Sequence, residues 1–406
     1  MSFRPMRRAG HGIAPGWLNR GVGGIGVASL LSDLSHEIPT ALLPNLVTQT
    51  LGAPASALGL IEGVSDGLAG AAKLAGGPLA DEPSRRGPVA VGGYTTTAVL
   101  SSAVGAATSV VHVGLLRAGA WAARGLRVPA RNALLADMVD ADRYGHAYGF
   151  ERAMDNLGAV GGPLLAIALA AAVGTRSAIL LSLIPGLGAA LSMAYAVRHV
   201  PKPTKRPRTP IRLRVRPVIE SGLGPLLTAI GAFEIGNVAA TLMILRATEL
   251  LTASHGPERA ATIALLLYAG YNLAAALSSV PAGRLADHRT PHLVLTLGVA
   301  AFAVSYAGFT RDTSSWAVLL PWFALAGIGI GAVETSEHAI VARKADQAIR
   351  GTAFGLLAAL QSLGNFAASV VAGILWTGVG PQWAFAYLTG WMVISLLLLG
   401  RRAARV

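Results

Sequence analysis

The sequence predicts an all-α membrane protein with twelve transmembrane helices in two pseudo-symmetric six-helix bundles. Three observations predict it. Hydrophobic residues make up 53% of the 406-residue chain and charged residues 13%, roughly half the charged share of an ordinary soluble domain. Apolar runs of about 20 residues, long enough to cross a bilayer, recur from end to end. Finally, Gly77-Pro78-Leu79-Ala80-Asp81 returns 206 residues later as Gly283-Arg284-Leu285-Ala286-Asp287. The same offset carries Asp66 onto Asn272, Asn132-Ala133-Leu134-Leu135-Ala136 onto His338-Ala339-Ile340-Val341-Ala342, and Gly149 and Leu157-Gly158 onto Gly355 and Leu363-Gly364. One offset that holds across separate segments is a duplicated half.

Charge and cysteine content narrow the possibilities. The net charge of +13 is spread over alternate loops, which is the positive-inside pattern and argues against a nucleic-acid partner. Cysteine is absent, so disulfides and thiolate metal ligands are excluded. Arg4, Arg7 and Arg8 resemble the start of a signal peptide. The apolar segment after them is too long and carries acids at its centre, so an uncleaved first span is expected.

In order, residues 1–20 form a basic tail and 21–198 a first bundle. Its spans fall at about 21–50, 56–77, 88–108 and 110–136; span five opens near Tyr144 and span six closes near Val197. Residues 199–217 form a linker with Lys202, Lys205, Arg206, Arg208, Arg212, Arg214 and Arg216 among five prolines, a composition that is extended and solvated. Spans seven to twelve of the second bundle, 218–400, fall near 221–248, 258–282, 292–310, 315–342, 350–376 and 382–400. A short tail, 401–406, begins with Arg401 and Arg402. Arg85, Arg86, Arg143, Arg289, Arg343, Lys344 and Arg350 share the linker's side, against Arg176, Arg259 and Arg311 on the other. Both termini are therefore expected in the cytoplasm, with the chain integral to the inner cell membrane.

Ionisable residues deep in a bilayer are costly and by default mark a pathway or a pairing. Asp33, His36 and Glu37 share one face of span one, about 13 residues in, or ~20 Å along the helix. They read as a proton or cation site, or as a buried pairing with the arginines of span four. Glu334, Glu337 and His338 repeat that spacing in span ten, either inside a cavity or merely wet near a helix end. Span four carries Arg117, Arg124 and Arg131 at seven-residue intervals with Arg127 beside them, a stripe that needs acids. Asp33, Glu37, Asp66, Glu151 and Asp155 are the candidate partners. Glu234 sits as deep in span seven as Asp33 in span one, with no basic neighbour within a turn. A carboxylate buried without a cation exchanges protons near neutral pH.

The stretch Gly77-Pro78-Leu79-Ala80-Asp81-Glu82-Pro83-Ser84-Arg85-Arg86 resembles the loop signature of the major facilitator superfamily, with Gly283 to Arg289 as its weaker second copy. Glu82 stands where a basic residue is usual and Ser84 where glycine is usual. Gly149, Gly158, Gly162 and Pro163 are similar to the span-five motif of that family's antiporters, without its trailing glycines. Small residues there also serve ordinary helix packing. The resemblance implies a secondary transporter with parallel repeats, whose spans one, four, seven and ten line a central cavity. It assigns Asp33, His36, Glu37, Asp66, Arg124, Asp155, Glu234, Asn272, Glu334, Glu337 and His338 to proton coupling and the cavity. It further implies a gate of Gly77, Asp81, Arg85, Arg86, Arg131, Gly283 and Asp287, with Asp81 at Arg350–Thr352 and Asp287 at Tyr144–Gly145.

The expected function is proton-driven export by rocking bundles. The cargo is a small organic compound in a mostly apolar cavity, or a divalent metal held by Asp33, His36, Glu37, Glu334 and His338. A receptor or assembly factor that merely keeps the fold is the reading from another class. Beyond the proton gradient no cofactor is expected, and a monomer in the lipid bilayer is. Enzymatic activity is not expected: His36-Glu37 lacks a second histidine, position 40 being Thr40, and no phosphate-binding loop or nucleophile–base set is present.

Overall fold

A computed structural model describes residues 16–200 and 211–403. The basic start with Arg4, Arg7 and Arg8, linker residues 201–210 and residues 404–406 lie outside the described residues. The first six spans are Arg20–Asn45, Ala55–Asp81, Pro83–Ala103, Val110–Asp137, Tyr144–Val173, and a sixth in two pieces, Thr175–Leu181 and Leu183–Arg198. Span seven is also in two pieces, Gly224–Gly236 and Ala240–His255, entered through a short helix, Val215–Val218, and a wide turn, Ile219–Leu223. Spans eight to twelve are Pro257–His288, Pro291–Phe309, Trp316–Lys344, Arg350–Gly378 and Pro381–Ala403.

Local chemistry sets these boundaries. Asn19 caps span one by accepting from the Gly21 and Val22 amides at 2.9 and 3.0 Å, which satisfies two orphan donors. Span three begins at Pro83 rather than near 88, because proline suits the first helical position and only Glu82 separates it from Asp81. Gly174 and Gly256, at φ 81° and 75°, make the tight turns into spans six and eight, where a side chain would be strained.

Nine helices among the described residues are long and apolar enough to cross a membrane. Spans one, two and four fall short of that mark, and they carry Asp33, Glu62, Asp66, Lys73 and the arginine stripe. Span seven, expected to be continuous, is open from Asn237 to Ala239. Backbone groups freed inside a membrane need partners. Span eleven supplies them: Asn365 donates to the Asn237 carbonyl at 2.8 Å, and the Ala239 amide donates to Ser369 at 3.1 Å.

The duplication is visible in how the halves touch. Spans two and eleven cross with Gly77 against Gly351, Thr352 and Gly355, while spans five and eight cross with Gly283 against Gly145 and Gly149. The offset of the repeat carries Gly145 onto Gly351 and Gly149 onto Gly355. The two crossings are therefore copies, and at each one backbone meets backbone because no side chain intervenes.

Candidate functional site

Between the halves lies a cavity of about 680 Å³. Asp33, Asp66, Arg124, Asp155, Glu234, Glu334 and His338 line it. His36, Glu37, Asn272 and Glu337, expected there too, are not among its lining. Asn272 turns back to the Tyr268 carbonyl of its own helix at 3.2 Å. Glu337 is fully buried and accepts from Gln361 at 2.9 Å, so it is not a wet residue at a helix end. His338 donates from Nδ1 to the Glu334 carbonyl, 2.6 Å away, and packs between Tyr148 and Phe354.

Span four organises the charge. Arg124 pairs with Asp33 at 3.2 Å and also contacts the His36 ring. His36 in turn lies 3.3 Å from Asp33 and 3.4 Å from Glu37. Asp66 accepts from the Trp121 indole at 2.9 Å. Arg117 lies over the same indole and pairs with Glu62 at 3.1 Å, a partner the stripe alone did not identify. Arg127 faces Ser32 at 2.6 Å and the Tyr94 ring. The glycines of span five press this assembly together: Gly158 seats against Asp33, and Gly162 against Glu37.

A second cluster closes the floor. Arg131 pairs with Glu151 at 2.7 Å and lies 3.6 Å from Asp155. Expected at the gate, Arg131 is buried in the first half and makes no gate contact among the described residues. Arg152, which the sequence reading missed, binds Glu151 at 2.7 Å and Asp155 at 3.1 Å, then reaches across the halves to Glu334 at 3.5 Å. Its signal was present as an arginine beside one acid and three residues before another. Lys73 makes a second crossing, donating to Ser362 of span eleven at 2.5 Å. Glu234 accepts from Asn237 at 3.1 Å at the opening of span seven, with no cation within 4 Å among the described residues.

The cavity's lining carries a dense set of charges. Five carboxylates, of Asp33, Asp66, Asp155, Glu234 and Glu334, face five cationic groups, of Lys73, Arg124, Arg127, Arg131 and Arg152. Asp33 of one His/Asp/Glu face and Glu334 and His338 of the other line this same cavity. Among the described residues no three His, Cys, Asp or Glu side chains are grouped to hold a metal ion, and the Arg152 guanidinium stands beside Glu334.

At the loop-signature end, two carboxylates meet helix N-termini of the opposite half. Asp81 accepts from the Thr352 amide at 2.7 Å and its hydroxyl at 2.5 Å. Asp287 accepts from the Gly145 and His146 amides, both at 2.8 Å, lies 2.6 Å from the His146 ring, and pairs with Arg343 at 2.5 Å. An anion at a helix N-terminus gains from the unsatisfied amides and the dipole. Arg86 is buried and donates to the Ala80 carbonyl at 2.7 Å, Asp137 at 2.5 Å and the Gln347 carbonyl at 2.9 Å. Asp137 also pairs with Arg350 across the halves at 3.2 Å. Arg85, expected with Arg86, stays in its own loop on Glu82 at 3.1 Å; the unusual Glu82 is thereby paired, and Ser84 donates to it at 2.5 Å.

Comparison with known proteins agrees with this architecture. The sequence profile of the Major Facilitator Superfamily matches residues 25–254 and 228–405. An uncharacterised MFS-type transporter of Methanocaldococcus jannaschii is 29% identical over 94% of both chains. An uncharacterised protein of Mycobacterium tuberculosis is 26% identical over 82% of this chain and 81% of its own. Two crystal structures share the fold over 95% of this chain and 100% of theirs. One is a bacterial homologue of the iron transporter ferroportin in an outward-facing state, with TM-score 0.76 and 13% identity; the other is the human organic anion transporter MFSD10, with 0.68 and 16%. With its duplicated helical halves, charged central cavity and profile match along the chain, this protein belongs to the major facilitator superfamily of membrane transporters.

Proposed function

We propose that the chain exports a small, charged organic compound by proton antiport, alternating access through rocking of its two halves. The observation that carries this reading is the Arg124–Asp33 pair at 3.2 Å, in a cavity between halves latched at one end. That end carries the basic loops, which the positive-inside rule assigns to the cytoplasm along with both termini. The conformation is then outward-facing, in the inner membrane. When rocking separates Asp33 from Arg124, the carboxylate takes a proton, since an unpaired charge there is expensive; renewed pairing releases it on the other side. Proton and substrate then bind differentially to two states, which coupling requires. The antiporter-like glycines favour this exchange, because Gly158 and Gly162 seat span five against Asp33 and Glu37.

A lining that carries both signs of charge suits a polar cargo with its own charged groups. The metal reading is weaker: His36 is engaged by Arg124 and Asp33, and Glu334 is engaged by Arg152. In proteoliposomes with an imposed pH gradient, gradient-driven organic export by the wild type and its loss in Asp33→Asn are expected. Retention of full pH-dependent flux by Asp33→Asn, Glu37→Gln and Glu234→Gln alike would overturn the coupling. Metal efflux that His36→Ala and His338→Ala each abolish would replace the organic cargo, and a chain that moves nothing would favour a receptor.

A further inference from the structure

A second and larger cavity, about 1700 Å³, lies wholly in the second half, along the seam of spans seven and twelve. Its volume exceeds the range of drug-sized pockets. Ser395 of span twelve donates to the Ala229 carbonyl of span seven at 2.8 Å and holds that seam together. At the loop-signature end the chain enters span seven through the wide turn at Ile219–Leu223, where Gly222 has φ 82°. This irregular entry forms part of the groove's wall.

Chemistry divides the groove along its length. The stretch from Gly231 to Trp391 is apolar, while Lys344, Arg401 and His292 are gathered at the loop-signature end. No acidic side chain is among its described lining residues. Trp391 and Arg401 are ten residues apart on one helix, or about 15 Å, which is half of a ~30 Å hydrocarbon core. The groove thus has the depth of one leaflet, with cations at the headgroup level and hydrocarbon surface below. We propose that it binds a membrane phospholipid with an anionic headgroup, the head at Lys344 and Arg401 and an acyl chain along spans seven and twelve. A basic group at that level attracts an anionic head, while the apolar wall holds the chain without discriminating between heads.

Native mass spectrometry of the full-length protein in detergent, with phosphatidylglycerol and phosphatidylcholine offered in equal amounts, tests this. The wild type should retain phosphatidylglycerol roughly 30-fold better, the effect of two basic groups near an anionic head. Lys344→Gln with Arg401→Gln should bring the two lipids close to parity. Thr228→Trp, which fills the groove from an exposed wall position, should remove the tightly held molecule of either lipid. Arg212→Gln with Arg216→Gln, at the same end but outside the lining, should change nothing. A preference that survives the Lys344/Arg401 change, one lost equally in the Arg212/Arg216 control, or retention of both lipids by Thr228→Trp would overturn the site.

Discussion

The two halves of this protein share a frame and differ in charge. Five features recur at one offset: Gly77 and Gly283, Asp81 and Asp287, Gly145 and Gly351, Gly149 and Gly355, Gly158 and Gly364. The charges do not. Where the first half has Glu62, Arg117, Arg124 and Arg127, the second has Tyr268, Phe323, Ile330 and Val333; where the first has Glu151, Arg152 and Asp155, the second has Leu357, Ala358 and Gln361. Phe323, Val333 and Leu357 are fully buried, so hydrophobic side chains fill these positions without loss of the frame. The frame is what folding requires. Most of the unrepeated charge lies in the first half; the second half adds Glu334 and Glu337 of span ten and Glu234, against whose backbone Gly364 packs as Gly158 packs against Asp33.

The largest expected effect follows from that asymmetry. Asp33→Asn and Arg124→Gln should each reduce gradient-driven flux by the order of 100-fold, the upper end of typical coupling strengths, with near-native thermal unfolding. If purified Asp33→Asn instead fails to fold while Glu234→Gln transports normally, the charges are structural and the comparison breaks.

Features set by short-range chemistry were legible in the sequence; those made by distant contacts were not. The two aspartates stood out because the repeat presents them twice at a helix end, whereas their partners in the opposite half came from the family resemblance and not from local chemistry. Arg124 with Asp33 could be read from depth along two helices. Arg152 was missed because its contact to Glu334 joins residues in opposite halves, and helical periodicity says nothing of which helices meet. The opening of span seven was missed for a similar reason. Gly236-Asn237 stands just before the opening, but glycines are common throughout these spans, and the side chains that satisfy the freed backbone, Asn365 and Ser369, come from span eleven.

A middle-sized effect sharpens the comparison at the latches, which are copies in position but not in strength. Asp287 accepts from two amides and lies beside the His146 ring and Arg343; among the described residues Asp81 accepts only from the amide and hydroxyl of Thr352. Hydrogen bonds to a charged group contribute about 1.5–3 kcal/mol each. Asp287→Asn should therefore open the loop-signature end by roughly tenfold or more, and Asp81→Asn by less. The chain has no native cysteine, so labelling of single cysteines introduced beside each latch reads the shift directly. Equal labelling in both variants would show that the closed end is held by the glycine crossings instead.

The smallest expected effect is the most direct test of whether charge and frame are separable. Glu62 and Arg117 pair at 3.1 Å in the first half, and the offset carries them onto Tyr268 and Phe323. Arg117 is almost fully buried, whereas the Glu62 side chain is one-third exposed, so solvent screens part of their attraction. Arg117→Phe alone strands Glu62 and deprives Trp121 of the guanidinium over its ring. Glu62→Tyr alone leaves a buried guanidinium with Thr40, at 3.0 Å, as its remaining hydrogen-bond partner, a loss of about 3 kcal/mol or more. Installing both residues of the second half together removes both charges at once. Replacing a buried pair by apolar groups that pack well is often close to neutral. Glu62→Tyr with Arg117→Phe should therefore unfold within a few degrees of the wild type, with a coupling between the two changes of about 1–3 kcal/mol. A double variant as unstable as the sum of the singles would mean that this pair is built into the first half's frame, and that the second half packs there by a different solution.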